Sequence, residues 1–189
     1  MKSIDSKERE EKKPAPGTLE SDKIALRPEQ PTDEPFVFHL FTDGRPDLEW
    51  ITGIDQERKR ELLLRQFQYE QEQLRKDYPD AEHSIILLDG NTVGRLYLHR
   101  GEKEYRILVI TLAPEYRGRG IGRNLIKNIL REAAAAGSPV GLQVAWYNRP
   151  ARSLYERMGF LVTEDIGVYC EMQWMPGTGL NKLGVKDEF

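Results

Sequence analysis

Hydrophobic and polar positions along the chain follow two different periods. Apolar residues that alternate with polar ones, or run together in short β-branched stretches, predict strands, and apolar residues three and four positions apart predict helices. The predicted strands cover residues 24–27, 82–88, 92–99, 105–112, 140–146, 160–164 and 168–174. The first predicted helix begins at about residue 31, and three further helices are predicted over residues 55–77, 121–136 and 150–158. The resulting order is β-α-α-β-β-β-α-β-α-β-β.

Turn-forming residues separate these elements. Asp89-Gly90-Asn91 lies between two apolar runs and predicts a hairpin, and Gly137 predicts the end of the long third helix. Three successive hairpin strands, followed by strands that helices connect, predict a mixed sheet with helices on both faces. The fold class is therefore α/β, with an α+β mixed sheet.

The two ends of the chain differ from its centre. Residues 1–22 are rich in charges of both signs with Pro and Gly, so we expect a disordered charged tail there. Residues 23–176 carry all the predicted elements and form one domain. Residues 177–189 are expected to be a C-terminal tail. One domain of about 150 residues suits the length of 189.

Charge and composition exclude several classes of function. The 28 Lys and Arg against 31 Asp and Glu leave a net charge of −3, which favours neither nucleic acid nor an anionic membrane. No apolar run approaches the roughly 20 residues of a membrane span, and no leader of signal-peptide type opens the sequence. The single Cys170 is expected to be buried, and three dispersed histidines provide no metal-ligand spacing. We expect a cytoplasmic protein without a metal.

The most informative segment is Pro-Glu-Tyr-Arg-Gly-Arg-Gly-Ile-Gly at residues 114–122, between a predicted strand and a predicted helix. A glycine-rich turn at a helix N-terminus directs backbone N–H groups at one point, and phosphate is the usual ligand there. The arginines at 117, 119 and 123 add positive charge. The segment lacks the Gly-Lys-Ser/Thr of a P-loop, and Arg123 stands where the last glycine of a dinucleotide fingerprint would be.

A second motif runs from Asn148 to Phe160, with the sequence Asn-Arg-Pro-Ala-Arg-Ser-Leu-Tyr-Glu-Arg-Met-Gly-Phe. Asn148 suits a helix N-cap and Gly159 a left-handed helix end. The apolar residues between them, Tyr155 included, fall on one helix face. Tyr155 is thus either a core aromatic or a functional residue.

Together, Arg117-x-x-Gly-x-Gly122 and the Asn148 motif resemble the GNAT superfamily of N-acetyltransferases, with a similar element order over residues 23–174. The resemblance implies that acetyl-CoA is the co-substrate and that the fourth and fifth strands splay apart. It implies that the pantetheine arm pairs with the backbone of Ile110, Thr111 and Leu112, and that Asn148 and Tyr155 contact the same molecule. The residues implied to bind the pyrophosphate are Arg117, Gly118, Arg119, Gly120, Ile121, Gly122 and Arg123.

The implied reaction is attack of an amine on the thioester. The resemblance makes Tyr155 the proton donor to the leaving thiolate, and a tyrosine of ordinary pKa, about 10, is protonated at neutral pH. Members of the superfamily often carry a Glu that acts as the general base at two positions, which hold Arg106 and Gln143 here. Glu104 is a weaker candidate for the base. Residues that could face the acceptor are Trp50, Gln66, Gln68, Arg95 and Tyr97.

The sequence therefore predicts an N-acetyltransferase that transfers an acetyl group to a primary amine of a small molecule or a protein. The alternative is a non-catalytic module of the same fold that binds acetyl-CoA as a sensor or scaffold. A nucleic-acid-binding protein would draw only on the arginine cluster and is opposed by the net charge. The sequence does not identify the amine acceptor, and it leaves open whether the protein forms a homodimer.

Overall fold

A computed structural model describes residues 24–43, 53 and 55–177. Within them, the strands are β1 (Ile24–Pro28), β2 (Glu82–Leu88), β3 (Asn91–Arg100), β4 (Tyr105–Leu112), β5 (Val140–Ala145), β6 (Leu161–Asp165) and β7 (Tyr169–Trp174). The α-helices are α1 (Glu34–Asp43), α2 (Gln56–Asp77), α3 (Ile121–Ala135) and α4 (Arg149–Arg157). The predicted tail at 1–22, Trp50 and residues 178–189 of the predicted C-terminal tail lie outside the described residues.

The strands form a seven-stranded sheet in the order β1-β2-β3-β4-β5-β7-β6. Only the central pair, β4 and β5, is parallel among the described strands, so the sheet is mixed as predicted. The predicted hairpin between β2 and β3 is confirmed. Asp89 and Gly90 both have positive φ, 51° and 81°, as a two-residue turn with the natural twist of a hairpin requires.

The parallel pair is short because β4 and β5 diverge. Pairing between them covers only residues 105–107 and 140–142. Immediately afterwards β4 carries a bulge, since Tyr97 opposes Val109 and Leu98 opposes Ile107, which leaves Leu108 as an extra residue. A bulge bends its strand. From there β4 follows β3 as far as Leu112, whereas β5 follows β7, so the predicted splay of the fourth and fifth strands is confirmed.

Gly94 lets β3 and the end of β4 lie close together. A Cβ atom built at Gly94 would lie 2.4 Å from the carbonyl oxygen of Thr111, a distance that no real side chain tolerates. Any other residue would therefore push the C-terminal part of β4 away from β3. Gly94 helps to set the path of β4 beyond its bulge.

Helices cover both faces of the sheet, as the alternation of side chains along β2 shows. Ile85 packs in a cluster with α1 and α2, whereas its neighbour Ser84 lines a groove against α3. The larger core cluster joins the α3 face to β5, α4 and β7, and Cys170, Met172 and Trp174 of β7 are buried in it. The predicted burial of Cys170 is confirmed. The strand predicted over residues 168–174 begins one residue later than expected. Val168 is exposed and lies in the turn before β7, so it does not continue the buried series of that strand.

An ion pair holds the turn between β1 and α1. Arg27 donates two hydrogen bonds to the carboxylate of Asp33, at 2.6 and 2.7 Å, and the backbone N–H of Gln30 donates to the same carboxylate at 2.8 Å. The amide of Glu29 donates to the carbonyl of His83 on β2. These bonds hold the pKa of Asp33 below its usual value, the hydrogen bond from Arg27 being the largest cause.

We predict that Asp33→Asn lowers the free energy of unfolding by about 1 to 3 kcal/mol at neutral pH, because it removes a charge-assisted pair that is partly buried. Since the pKa of Asp33 is lowered on folding, its stabilisation is present above the unfolded pKa of about 4 and is lost as the pH falls through the folded pKa. Urea unfolding at a series of pH values measures both. Asp80→Asn, at an exposed turn, is the control, and equal stability of the two variants would contradict the prediction.

Candidate active site

The loop between β4 and α3 leaves a row of backbone N–H groups without acceptors. Gly118 and Gly120 adopt left-handed conformations, with φ of 72° and 84°. Gly120 is the N-cap of α3 and has no side chain that could accept from the first turn. The first amide after the loop that donates to a backbone carbonyl is that of Asn124, and none from 118 to 123 does so among the described residues. These amides are exposed together at a helix N-terminus.

The three arginines of the loop differ in their contacts. Arg117 donates from Nε to the carbonyl of Leu112 at 2.8 Å and so ties the loop to the end of β4. The guanidinium of Arg119 lies over the ring of Tyr116, 5.3 Å from its centroid. Arg123 is exposed in the first turn of α3, which contains no acidic residue. The surroundings of the open amides are therefore positive, and an anion is the ligand they suit.

The edge of β4 beyond the bulge has no strand beside it among the described residues. Ile110, Thr111 and Leu112 pair with Leu96, Arg95 and Gly94 of β3 on one side. On their other side β5 has already diverged. An extended molecule with amide groups can pair with such an edge as an added strand does. At this edge, the carbonyl of Leu112 already accepts a hydrogen bond from Arg117.

The second motif forms α4 as predicted. The side chain of Asn148 accepts from the amide of Ala151 at 3.3 Å, so Asn148 caps the helix, and Gly159 has the expected left-handed φ of 94°. Tyr155 is 7% exposed and belongs to the same hydrophobic cluster as Ile110 and Leu112. Burial raises the pKa of Tyr155 to about 12, so its hydroxyl keeps its proton over the whole neutral range.

No carboxylate stands at either of the two positions where the family resemblance places a base. Arg106 is paired with Glu171 at 2.6 Å, and Gln143 is exposed on β5. Glu104 precedes the first residue of β4, where it contacts Arg106 and Gln173, both at 3.3 Å. Glu104 lies four residues before the bulge at Leu108 where the splay begins, about 13 Å along β4 at 3.3 Å per residue. That separation argues against Glu104 as the base.

A polar network lies on the α2 face of β3, the face that carries the predicted acceptor residues Arg95 and Tyr97. The hydroxyl of Tyr97 donates to Glu29 at 2.5 Å, and His83 stacks on the Tyr97 ring at 4.0 Å. Arg95, only 3% exposed, makes long contacts with Glu70 at 3.4 Å and with the Tyr97 hydroxyl at 3.5 Å. Burial lowers the pKa of His83 and raises that of Tyr97, so both are neutral near pH 7.

Sequence reasoning found Arg95 and Tyr97 but missed their partners. Glu29 follows Pro28 at the end of β1, and residues at strand ends are common binding residues, which is the one signal that could have singled it out. No local pattern distinguishes His83 on β2 or Gln71 on α2, although Gln71 is only 6% exposed.

The described residues contain no group of three His, Cys, Asp or Glu side chains placed to hold a metal ion. Within the same ranges, no helix has both the length and the apolar character to traverse a bilayer.

The sequence matches the family model described as Acetyltransferase (GNAT) family over residues 48–160. This match covers more than half of the chain and includes the β4–α3 loop and the Asn148 motif. The protein therefore belongs to the GNAT acetyltransferase family, as the resemblance of those two motifs predicted.

Curated relatives match part of the chain. A mycothiol acetyltransferase of Corynebacterium glutamicum is 37% identical over 95 residues, 49% of this chain and 32% of the relative. The N-alpha-acetyltransferase RimI of Mycobacterium tuberculosis is 42% identical over 57 residues, 30% of this chain and 35% of the relative. The matched region thus spans about a third of the length of these curated relatives.

Solved structures share the fold over most of the chain. The PaiA N-acetyltransferase of Thermoplasma acidophilum, in complex with coenzyme A, has a TM-score of 0.61 at 20% identity and covers 80% of this chain and 98% of its own. A GNAT family acetyltransferase of Elizabethkingia anophelis with acetyl-CoA bound has a TM-score of 0.54 at 15% identity, with 82% and 99% covered. These likenesses show the mixed seven-stranded fold.

Proposed function

We propose that the protein is an N-acetyltransferase that transfers the acetyl group of acetyl-CoA to a primary amine. One observation carries the proposal: the row of unpaired amides from Gly118 to Arg123, in positive surroundings at the open end of the β4–β5 splay. Family membership supports acetyl transfer, and two structural neighbours hold coenzyme A or acetyl-CoA. The names of the relatives point to different acceptors, so they do not identify the acceptor of this protein.

Each part of the site has a proposed contact with acetyl-CoA. The amides and arginines of residues 117–123, namely Arg117, Gly118, Arg119, Gly120, Ile121, Gly122 and Arg123, bind the pyrophosphate. The β4 backbone at Ile110, Thr111 and Leu112 pairs with the pantetheine amides. Asn148 lies at the start of α4 on the far side of the splay and borders the arm there.

The chemical step needs one proton to leave and one to arrive. The amine nitrogen forms a bond to the thioester carbonyl carbon, the carbon–sulfur bond breaks, and the electron pair stays on sulfur. Tyr155 donates its hydroxyl proton to that sulfur, because it is held neutral by burial. Since Arg106, Gln143 and Glu104 supply no suitable base, water accepts the proton that the amine loses.

The alternative is a non-catalytic sensor of acetyl-CoA. It is favoured by the absence of a base at the expected positions, one of which holds Arg106 in an ion pair with Glu171. Release of free thiol from acetyl-CoA, measured against a panel of amines, polyamines, amino acids and peptides, separates the two. Turnover with any acceptor selects the enzyme. Saturable coenzyme A binding with no turnover across the panel selects the sensor.

We predict that Gly120→Asp abolishes coenzyme A binding in a folded protein. A Cβ atom at Gly120 meets no neighbour within 4 Å, so the effect arises from the negative charge among the open amides and from the positive φ. Gly137→Asp is a matched control, because Gly137 also has a positive φ of 67° and open surroundings but lies at the far end of α3. Calorimetry on both variants makes the comparison. Equal affinities would remove the loop as the phosphate site.

We predict that Tyr155→Phe lowers turnover by about 10² to 10⁴, the usual contribution of a general acid, with little change in coenzyme A affinity. The ring and its packing on Phe160 are kept, so stability changes by no more than about 1 kcal/mol. Tyr69→Phe, on the exposed side of α2, is the control. Wild-type turnover of Tyr155→Phe, with chemistry rate-limiting, would show that the sulfur is protonated by another group.

A further inference from the structure

The outermost strand of the sheet, β6, exposes apolar side chains on both of its faces. It pairs with β7 on one side, and no described strand lies on its other side. Leu161 is 69% exposed and lies on the same face as Gln173 of β7. Val162 is 41% exposed and lies on the opposite face, beside the buried Met172. We call the strand Leu161–Asp165, all of whose residues are exposed, the β6 edge.

The β6 edge is protected against pairing only in its second half. Proteins keep an edge strand from pairing with another chain by charged side chains, proline or a bulge. The bulge of β6 at Thr163 and its acidic residues, Glu164 and Asp165, all come after the apolar pair at 161 and 162. The strand contains no lysine and no proline. Its first half therefore presents an apolar edge, and exposed apolar patches mark interaction sites.

Opposite charges stand at the two ends of the β6 edge. Arg157 is exposed in the last turn of α4, just before the strand begins, and Asp165 is exposed where the strand ends. Asp165 lies on the α4 face of the sheet, because it is opposite the buried Cys170. Neither Arg157 nor Asp165 forms an ion pair with another described residue. Arg152 attracts Asp165 from farther away, but it is itself paired with Glu156.

An antiparallel pair of β6 edges, related by a two-fold axis at Leu161, satisfies both the apolar and the charged positions. Residues equally far from the axis in sequence then face each other. Asp165 and Arg157 each lie four residues from Leu161, so the aspartate of one copy meets the arginine of the other. The Leu161 side chains meet on one face of the joined sheet, and the Val162 side chains come together on the other. The ion pairs are exposed and form the rim of the contact.

We propose that two copies of this chain form a dimer by pairing their β6 edges into one continuous sheet, with an Arg157–Asp165 ion pair at each rim. The contact is closed, because both copies use the same surface, so it produces a dimer and not a filament. β6 runs in the same direction as β4 and β5. The two β4–β5 splays therefore open at opposite ends of the joined sheet.

Analytical ultracentrifugation of the full-length protein over a range of concentrations measures the dimer directly. We expect a reversible monomer–dimer equilibrium. Leu161→Lys should raise the dimer dissociation constant by about tenfold or more, because two like charges then meet at the axis. Leu26→Lys is the matched control, since Leu26 is an exposed apolar residue of β1, the strand at the opposite edge of the sheet. A wild type that stays monomeric, or a dimer that is lost with Leu26→Lys and kept with Leu161→Lys, would overturn the proposal.

Exchanging the two rim charges tests the geometry of the pair. Arg157→Glu should weaken the dimer by about threefold or more, since two exposed ion pairs are lost at once, and adding Asp165→Arg should restore it. Asp165→Asn keeps an acceptor for the Gly167 amide, which donates to Asp165 at 3.2 Å, and should weaken the dimer by removing the charge alone. A double variant no tighter than Arg157→Glu would rule out this axis. All of these measurements report mass and not turnover, so the dimer and the proposed enzyme succeed or fail separately.

Discussion

The divergence of two parallel strands at the centre of the sheet is the constraint on which the site depends. β4 and β5 pair over three residues each and then follow different neighbours, and the bulge at Leu108 lies where they part. The separation uncovers the backbone edge of β4 and leads directly into the glycine loop. An unbroken parallel pair would satisfy that edge and leave no place for an extended co-substrate.

Backbone groups, more than side chains, make up the central part of this site. The loop glycines matter because they have no side chain, which frees the amides of residues 118–123 from local acceptors. Arg117 contributes by fixing the loop to Leu112 as much as by its charge. Tyr155 is the exception, and it is placed by the packing of α4.

The sequence was sufficient for the parts of the structure that local rules determine. The Asp89-Gly90 hairpin, the Asn148 cap and the left-handed Gly159 all follow from residue types at short spacing. Val168 was predicted to be in the last strand because the alternation of apolar residues extends to it, but β7 begins one residue later. The partners Glu29 and Tyr97 lie 68 residues apart, and the unsatisfied Gln71 depends on how α2 packs. Relations of that kind arise only from the tertiary fold, so no local pattern revealed them.

The uncapped start of α3 also bears on how long the protein survives in a cell. A helix whose first amides have no acceptor is incomplete, and under the proposed function the pyrophosphate of coenzyme A supplies the missing acceptors. Ligands that bind only the folded state raise its stability by mass action. Unfolding and proteolysis of this protein would then slow as the coenzyme A pool rises.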